Sequence, residues 1–355
     1  MKPYLSRRAL LTSAVILCLL CALAFRLFHT VPAEAVPPFS VSFMVFNTQC
    51  DITVFDADRQ AAAIACNDII GRLTELHHAI NAYDEASELS HLNRTAFSEP
   101  FACSPALWDI ILKSEEAWTL SEGLFDVTVG PLLHLWGFHA KRDELPSEDS
   151  ISSALRQVGF QHVRLDREAH TVRFLVPGMR MDFGGIAKGY ALGLARTMAR
   201  EHGLSAVLIN LGGNLSRTDD APAGRIVGIR NPRHPEDLAA AVRLHGQCIA
   251  TSGNYERYRI IGGKRIGHIM DPRTGRPAVA GGRYESVTAV TTDPTFSDIF
   301  STTAFVGGHD TAARLVKTCP GTAFIFISFK EDGSPSLTPI GDCELIQENA
   351  VLPPP

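Results

Sequence analysis

Residues 181–190 read Met181-Asp182-Phe183-Gly184-Gly185-Ile186-Ala187-Lys188-Gly189-Tyr190, and they place three glycines and a lysine at the start of a helix. The run that follows, residues 191–199, has good helix formers and apolar side chains at helical spacing. Glycines let backbone N–H groups approach a ligand closely, a helix N-terminus favours an anion, and Lys188 adds a full positive charge. The stretch therefore predicts a phosphate-binding turn, with a purely structural Gly-rich turn as the alternative.

Three polar loops follow strand-like segments further along the chain. They read Asn210-Leu211-Gly212-Gly213-Asn214, Thr251-Ser252-Gly253-Asn254-Tyr255 and His268-Ile269-Met270-Asp271-Pro272-Arg273-Thr274-Gly275. Gly, Asn, Asp and Pro are ordinary turn residues, which is a sufficient structural explanation for any one of these loops. Together they bring hydroxyls, amides, a histidine and an aspartate to loop ends, which indicates a shared polar site.

Asp298 and Thr302 stand four residues apart in a predicted helix over residues 294–306, so both project from the same helical face. A carboxylate and a hydroxyl are hard oxygen donors that suit Mg²⁺. The alternative is a solvated face with a threonine that bonds back to the preceding turn. Spacing alone leaves both interpretations open.

The first 35 residues have the layout of an export signal. Lys2, Arg7 and Arg8 precede an apolar run over residues 9–25, and Ala33-Glu34-Ala35 offers a cleavage site of the A-x-A kind. The paired arginines also resemble a twin-arginine signal. An uncleaved N-terminal anchor in the inner membrane is the alternative, although 17 apolar residues are at the short end for a spanning helix. Either form predicts an exported, periplasmic protein.

Composition excludes several functional classes. The formal net charge is −5 and no basic cluster of the nucleic-acid-binding kind is present, so a nucleic-acid partner is not expected. The six cysteines beyond residue 35 form no C-x-x-C pair, which argues against a zinc site. No G-x-G-x-x-G follows a predicted strand, so a Rossmann dinucleotide site has no support.

The predicted elements mix helices and strands without regular βαβ alternation, which favours an α+β fold with mixed or antiparallel sheets flanked by helices. Helices are predicted over residues 59–82, 105–121 with Ser104 as N-cap, 147–157, 294–306 and 310–318. Strands are predicted over residues 41–55, 172–176, 206–211, 225–229, 241–249, 258–261, 264–267, 286–291 and 322–328. One domain over residues 36–345 precedes a Pro-rich tail, 346–355.

The chain resembles the ApbE family, the FAD:protein FMN transferases, from about Phe43 to about Gly341. Besides the blocks quoted above, the resemblance rests on three others. They are Asn81-Ala82-Tyr83-Asp84 with Ser87-Glu88-Leu89-Ser90, Gly123-Leu124-Phe125-Asp126-Val127-Thr128, and Asp298-Ile299-Phe300-Ser301-Thr302. All the blocks occur in the order typical of the family.

The resemblance implies that FAD is split at its pyrophosphate. The FMN part passes to a threonine or serine hydroxyl of an acceptor redox protein, and AMP leaves. It also implies that Mg²⁺ is required, with Asp298, Thr302 and the Ala187 carbonyl as ligands. Positioning and charge neutralisation carry most of the catalysis in phosphoryl-type transfer.

The resemblance assigns further roles. Lys188 contacts the phosphates, Tyr83 stacks on a ring of FAD, and His268 helps to deprotonate the acceptor hydroxyl. Asp271 orients His268 or supports the metal. The implied FAD-binding residues also include Gly184, Gly185, Thr251, Ser252 and Gly253. A satisfied structural histidine is the alternative for His268.

Three positions depart from the family pattern. Phe46-Asn47-Thr48 stands where the family often has Met-Gly-Thr in contact with adenine, Gly193 stands where an acid is usual, and Asn214 replaces a frequent Asp. The departure at residues 46–48 puts the adenine contacts there in question. None of the three removes an implied metal ligand.

The main functional hypothesis is a flavinyltransferase that modifies a periplasmic or membrane-bound redox protein. Exported members of the family serve ion-pumping quinone reductases, related electron-transfer complexes and nitrous-oxide reductase maturation, and a twin-arginine-like signal favours the last by analogy. A flavin carrier without turnover and a Mg²⁺-dependent FAD pyrophosphatase are the alternatives. A pure carrier has little need for both Asp298 and Thr302, whereas a pyrophosphatase would use the same residues as the transferase.

Overall fold

The computed structural model describes residues 37–139, 142–218, 224–278 and 284–346. Its centre is an eight-stranded antiparallel sheet with the strand order β1-β2-β6-β7-β10-β15-β16-β17. These strands are β1 (Phe39–Val45), β2 (Thr48–Val54), β6 (Val207–Leu211), β7 (Asn214–Arg217), β10 (Cys248–Gly253), β15 (Ser286–Thr291), β16 (Ala323–Phe329) and β17 (Pro335–Ile340).

Four smaller sheets surround the central one, and each is antiparallel. One contains β3 (Phe101–Ala102), β5 (Thr171–Phe174) and β4 (Val163–Asp166), and another contains β18 (Glu344–Ile346), β9 (Leu238–Leu244) and β8 (Arg225–Arg230). Two hairpins complete the set: β11 (Tyr258–Ile261) with β12 (Lys264–Gly267), and β13 (Met270–Asp271) with β14 (Arg276–Pro277).

The described residues contain seven α-helices. They are α1 (Arg59–Ile80), α2 (Glu88–Thr95), α3 (Pro105–Leu120), α4 (Gly130–Leu135), α5 (Glu148–Leu155), α6 (Ala187–Glu201) and α7 (Pro294–Thr318). Polar N-caps begin several of them: the Ser104 hydroxyl accepts from the Leu107 amide, as predicted, and Asp58 caps α1. The α+β prediction is therefore confirmed.

The strands β10, β15 and β16 of the central sheet are buried on both faces, and β16 illustrates how. Phe324 and Phe326 pack into the large core beneath the helices, whereas Ile325 and Ile327 pack into a second core that includes residues of β8 and β9. Alternate side chains of a strand point to opposite faces, so a strand buried on both faces is apolar throughout. Helix α7 packs across β10 and β15 and also against α6, which sets the geometry of the site.

Two predicted strands were wrong because each is a pair of strands. Residues 41–55 form the hairpin β1–β2, whose turn holds Phe46 and Asn47 at φ 51° and 59°. The predicted strand 241–249 is split at Gly246 (φ 75°) into β9 and β10, which belong to different sheets. The helices predicted over 294–306 and 310–318 form α7, with non-helical backbone at Gly308 between them.

Within the described residues, no helix is long and apolar enough to cross a membrane. The predicted export signal or anchor, residues 1–35, lies outside those residues. The predicted tail lies outside them too, except for Ile346, which belongs to β18.

Candidate active site

A cavity of about 790 Å³ opens beside the start of α6. Its size is typical of a site for a cofactor-sized ligand. Every predicted binding or metal-ligating residue lines it: Tyr83, Gly184, Gly185, Ala187, Lys188, Thr251, Ser252, Gly253, His268, Asp298 and Thr302. Residues that lie far apart in the chain, on α6, α7, β10 and three loops, therefore share one polar cavity.

The Gly-rich turn is held by its own aspartate. The Asp182 carboxylate accepts a hydrogen bond from the Gly184 amide at 2.7 Å and another from His139 Nε2 at 2.9 Å. Burial acts to raise the pKa of Asp182, but the hydrogen bonds from His139 and Gly184 and the charges of His139 and Arg257 together outweigh it and hold that pKa below its ordinary value. The carboxylate is therefore ionised near neutral pH and fixes the loop that enters α6.

Helix α6 begins at Ala187 without a side-chain N-cap at Ile186, and its Ala187 amide donates to the Phe183 carbonyl instead. A Cβ on Gly185 would lie 3.0 Å from the Phe125 ring, so this part of the turn has little room for a side chain. The positive end of the α6 dipole, next to the Lys188 ammonium, favours a phosphate. The arrangement suits an anionic ligand such as a pyrophosphate.

Close packing of α6 against α7 brings Asp298 to the start of α6. The Gly189 amide donates to Asp298 Oδ2 at 2.9 Å, and a Cβ on Gly189 would lie 2.6 Å from the Asp298 Cβ and 2.7 Å from the Pro294 carbonyl oxygen. Only glycine allows the two helices to approach this closely. Close packing of the two helices therefore explains why glycine follows Lys188.

The oxygen atoms around Asp298 fit a hard cation. Burial raises the pKa of Asp298, and the positive charge of Lys188 only partly opposes that effect. One turn further along α7, Thr302 Oγ1 shares a hydrogen bond of 3.0 Å with Ser252 Oγ. A buried carboxylate, a hydroxyl and the carbonyl of Ala187 at the cavity wall are the kind of donors that Mg²⁺ prefers.

This donor set would be completed by the ligand's own oxygens. Among the described residues, no group of three or more His, Cys, Asp or Glu side chains could hold a metal by itself. Mg²⁺ commonly binds through one or two carboxylates together with substrate phosphates. The residues present therefore fit Mg²⁺ that enters with a pyrophosphate.

Asn214 lies beside this carboxylate. Its side chain is close enough to lower the pKa of Asp298, but its buried amide nitrogen has no partner in hydrogen-bond geometry within the described part of the chain. The contact between Asn214 and Asp298 is therefore a weak one.

His268 also lines the cavity, in a cluster of aromatic and cationic side chains. Its Nδ1 lies 3.0 Å from the Arg257 carbonyl oxygen. Because a carbonyl only accepts, Nδ1 carries the hydrogen and Nε2 keeps its lone pair. Burial, followed by the charge of Arg257, lowers the pKa of His268 to about 4, so the ring is neutral at pH 7.

Tyr83 is joined to this cluster across the cavity mouth. The Arg257 guanidinium donates to the Tyr83 hydroxyl and lies 5.3 Å from the centre of its ring. The His139 ring lies 4.8 Å from the same tyrosine ring, and Phe138 meets His268 edge to face. An aromatic and cationic surface of this kind suits a flat heteroaromatic ring.

The structure does not bring Asp271 to His268. Its carboxylate accepts from the Arg273 backbone amide and guanidinium at 2.8–3.0 Å, and it does not line the cavity. Asp271 therefore closes the turn into β14, because an Asp can bond to the backbone two residues ahead. The expectation that it orients His268 or supports the metal has no basis in these contacts.

Sequence reasoning missed His139, Arg257 and Phe138 and gave Asp182 no role. Asp182 and Arg257 stood inside or next to quoted blocks, so their position was a signal. His139 lies 43 residues from Asp182 and had no local signal.

Residues 46–326 match the model of the ApbE family. The chain belongs to the ApbE family. It is 32% identical over 290 residues to the FAD:protein FMN transferase of Salmonella typhimurium, which covers 79% of this chain and 81% of that protein. It is 29% identical over 331 residues to the FAD:protein FMN transferase of Treponema pallidum, and the match covers 88% of this chain and 90% of that protein. The crystal structure of the ApbE protein from Thermotoga maritima matches with a TM-score of 0.75 at 28% identity and covers 84% of this chain and 96% of that one.

The positions at which this ApbE protein departs from the family pattern can now be located. Phe46, Asn47 and Thr48 line the cavity, so the changed triplet remains in contact with the site. Gly193 lies one turn after Gly189 on α6, and a Cβ there would meet only Thr295 Oγ1 at 3.5 Å, an ordinary contact distance.

Proposed function

We propose that this ApbE protein is a Mg²⁺-dependent FAD:protein FMN transferase that moves FMN from FAD to a threonine or serine hydroxyl of an acceptor redox protein and releases AMP. The observation that carries the proposal is that one cavity combines three features. They are the positively charged start of α6, the oxygen donors of buried Asp298 and half-buried Thr302, and a neutral imidazole at His268. The names of the curated relatives support the same reaction.

The transfer exchanges one P–O bond for another. The acceptor hydroxyl oxygen attacks the phosphorus of the FMN half, the bond from that phosphorus to the bridging oxygen breaks, and AMP leaves with the bridging oxygen. The hydroxyl proton goes to a base. His268 Nε2 can take it, because Nδ1 already donates to the Arg257 carbonyl.

The start of α6 has the task of holding the phosphates. The positive end of the α6 dipole and the Lys188 ammonium stabilise negative charge on the pyrophosphate. Asp298, Thr302 and the Ala187 carbonyl would hold Mg²⁺, which when bound neutralises pyrophosphate charge as a Lewis acid. Tyr83 and Arg257 would then contact the flat isoalloxazine ring.

We also propose that the protein acts outside the cytoplasm on a periplasmic or membrane-bound partner. The support is the export-type layout of residues 1–35, in which paired arginines precede an apolar run. The nitrous-oxide reductase maturation branch rests on that layout by analogy alone.

The test combines the purified protein, FAD, Mg²⁺ and a candidate acceptor domain, and follows flavin fluorescence that survives a denaturing gel together with AMP release. We expect labelling that is lost with EDTA and with Asp298→Ala. AMP release without labelled acceptor would make the protein a pyrophosphatase. Tight FAD retention with neither product would make it a carrier.

His268→Ala tests the base. We expect labelling about 100-fold slower, at the low end for general-base catalysis because a base of low pKa is a weak one. Fluorescence titration should show FAD binding largely unchanged. An unchanged labelling rate would leave His268 with a structural role only.

A further inference from the structure

A second cavity, of about 520 Å³, lies next to the FAD cavity and is used by no step described above. Its lining contains cationic or titratable side chains, neutral polar side chains and several apolar residues. The residues are Pro131, His134, Leu135, Arg142, Ser150, Ser153, Ala154, Gln157, Gly178 and Arg180. We call it the basic cavity.

The basic cavity and the FAD cavity share two structural segments. In α4, Leu133 lines the FAD cavity and His134 lines the basic cavity. In the segment before the Gly-rich turn, Arg180 lines the basic cavity and Asp182 lines the FAD cavity. The two cavities are therefore neighbours along both segments.

The charge of the basic cavity is positive and unbalanced. No carboxylate is among its lining residues, and no ion pair of Arg180 or Arg142 occurs in the described part of the chain; Arg142 donates only to the Leu135 carbonyl. Nearby Glu148 is already engaged by Arg276. Partial burial, and then the charges of Arg180, His139 and Arg142, lower the pKa of His134. Two guanidinium groups without carboxylates favour a ligand that supplies them.

We propose that the basic cavity binds an acidic segment of the acceptor protein, close to the hydroxyl that receives FMN. This proposal rests on the proposed function, because it assigns the acceptor's binding surface for that reaction. The two arginines bind carboxylates, and Ser150, Ser153 and Gln157 offer hydroxyl and amide groups to a peptide backbone. The mixed lining and the open shape favour a peptide segment over a single small anion.

The test uses two fluorescein-labelled peptides of twelve residues, each with one central threonine. One carries four aspartates on one side of the threonine, and its partner carries asparagines in the same places. Fluorescence anisotropy should show that the full chain binds the aspartate peptide at least about tenfold more tightly than the asparagine peptide, with affinity that falls as salt rises. Equal affinities would overturn the proposal.

The double variant Arg142→Glu/Arg180→Glu should weaken binding of the aspartate peptide by about tenfold or more, since like charges now face each other. The matched control is Arg164→Glu/Arg173→Glu, which makes the same change in net charge at exposed, paired positions of β4 and β5. The control should retain peptide binding. If both variants lose affinity equally, only net charge matters and the basic cavity is not the binding surface.

Two further measurements separate this proposal from the proposed function and from a small-anion site. FAD binding should be unchanged in Arg142→Glu/Arg180→Glu, and peptide binding can be scored even if the wild type cleaves no FAD. An NMR titration can follow the chemical shifts of His134 as inorganic phosphate or the aspartate peptide is added. If phosphate changes these shifts to saturation and the peptide does not change them, the basic cavity is a small-anion site and the proposal is overturned. We expect the peptide to raise the pKa of His134.

Discussion

Two walls of the FAD cavity are built by different means. The helix wall consists of residues 182–189 with Asp298 and Thr302, and it is held by backbone packing between α6 and α7. The aromatic wall consists of Tyr83, Phe138, Arg257 and His268, and it is held by contacts between long side chains. The helix wall has no free space at Gly189, whereas Tyr83 of the aromatic wall is 45% exposed.

This difference has a consequence for mutational effects. A change in the helix wall alters both the stability of the fold and the oxygens proposed to bind the metal, because the same residues serve both purposes. A change in the aromatic wall can alter proton affinity and ring contacts without moving the backbone. The three predictions below separate the two walls, from the largest effect to the smallest.

Asp298→Asn should reduce FMN transfer by about 100-fold or more, because loss of the proposed metal ligand removes several kcal/mol of transition-state stabilisation. The same variant should raise the melting temperature of the metal-free protein. Burial raises the pKa of Asp298, so its ionised form destabilises the fold above the ordinary pKa of aspartate, 3.8.

Calorimetry between pH 4 and pH 8 checks this opposition between stability and activity. The gain in melting temperature should grow as the pH rises, since more of the wild-type carboxylate must then be ionised. Mg²⁺ with ADP should stabilise the wild type and leave Asp298→Asn unaffected, because ligand binding to the native state raises stability. A lower melting temperature for the metal-free variant at neutral pH would contradict the burial of this charge.

Gly189→Ala should lower the free energy of unfolding by about 1–3 kcal/mol, as expected for overpacking, because the new Cβ would lie 2.6 Å from the Asp298 Cβ. Transfer should fall as well, since α6 and Asp298 are pushed apart. Gly193→Ala is the matched control on the same helix. It should raise stability by about 0.4–1 kcal/mol, because its Cβ meets only an ordinary contact and Ala favours a helix.

Urea denaturation of both variants measures the contrast. Equal effects of the two substitutions would mean that α6 and α7 are not packed as closely as the structure has them.

The sequence was sufficient for the α+β class and for most of the helix wall. The spacing of Asp298 and Thr302 correctly placed both on one face of a helix, because i,i+4 geometry is local. The Gly-rich turn was recognisable for the same reason. The need for glycine at position 189 was not recognisable, because it arises from close packing against Asp298, 109 residues away in the chain.

The aromatic wall and the strand pairs were harder to predict because they depend on non-local contacts and unusual turns. The β1–β2 turn has Phe46 and Asn47 at positive φ, whereas Asn-Gly is the usual sequence signal for such a turn. Because that signal is missing, residues 41–55 resembled one strand. No local pattern pairs His139 with Asp182. The role of Asp271 was inferred from its position in the family pattern, whereas in the structure its carboxylate accepts hydrogen bonds from Arg273 in the same turn.

Arg257→Ala tests the aromatic wall by its effect on proton affinity. The kcat/KM of the wild type should fall as the pH falls through about 4, because His268 is protonated there and no longer accepts a proton. Removal of the Arg257 charge should move this acid limb upward, toward the ordinary histidine value of 6.5. Burial, the larger cause, remains, so the limb should stay below 6.5.

Arg259→Ala is the control for that shift. Arg259 is an exposed arginine two residues away on β11, and it is not among the charges that set the pKa of His268. Its substitution should leave the acid limb in place, with circular dichroism used to show that each variant is folded at pH 4. An acid limb near 6.5 in the wild type would mean that His268 is solvated in the working enzyme. The aromatic wall would then open before the acceptor binds.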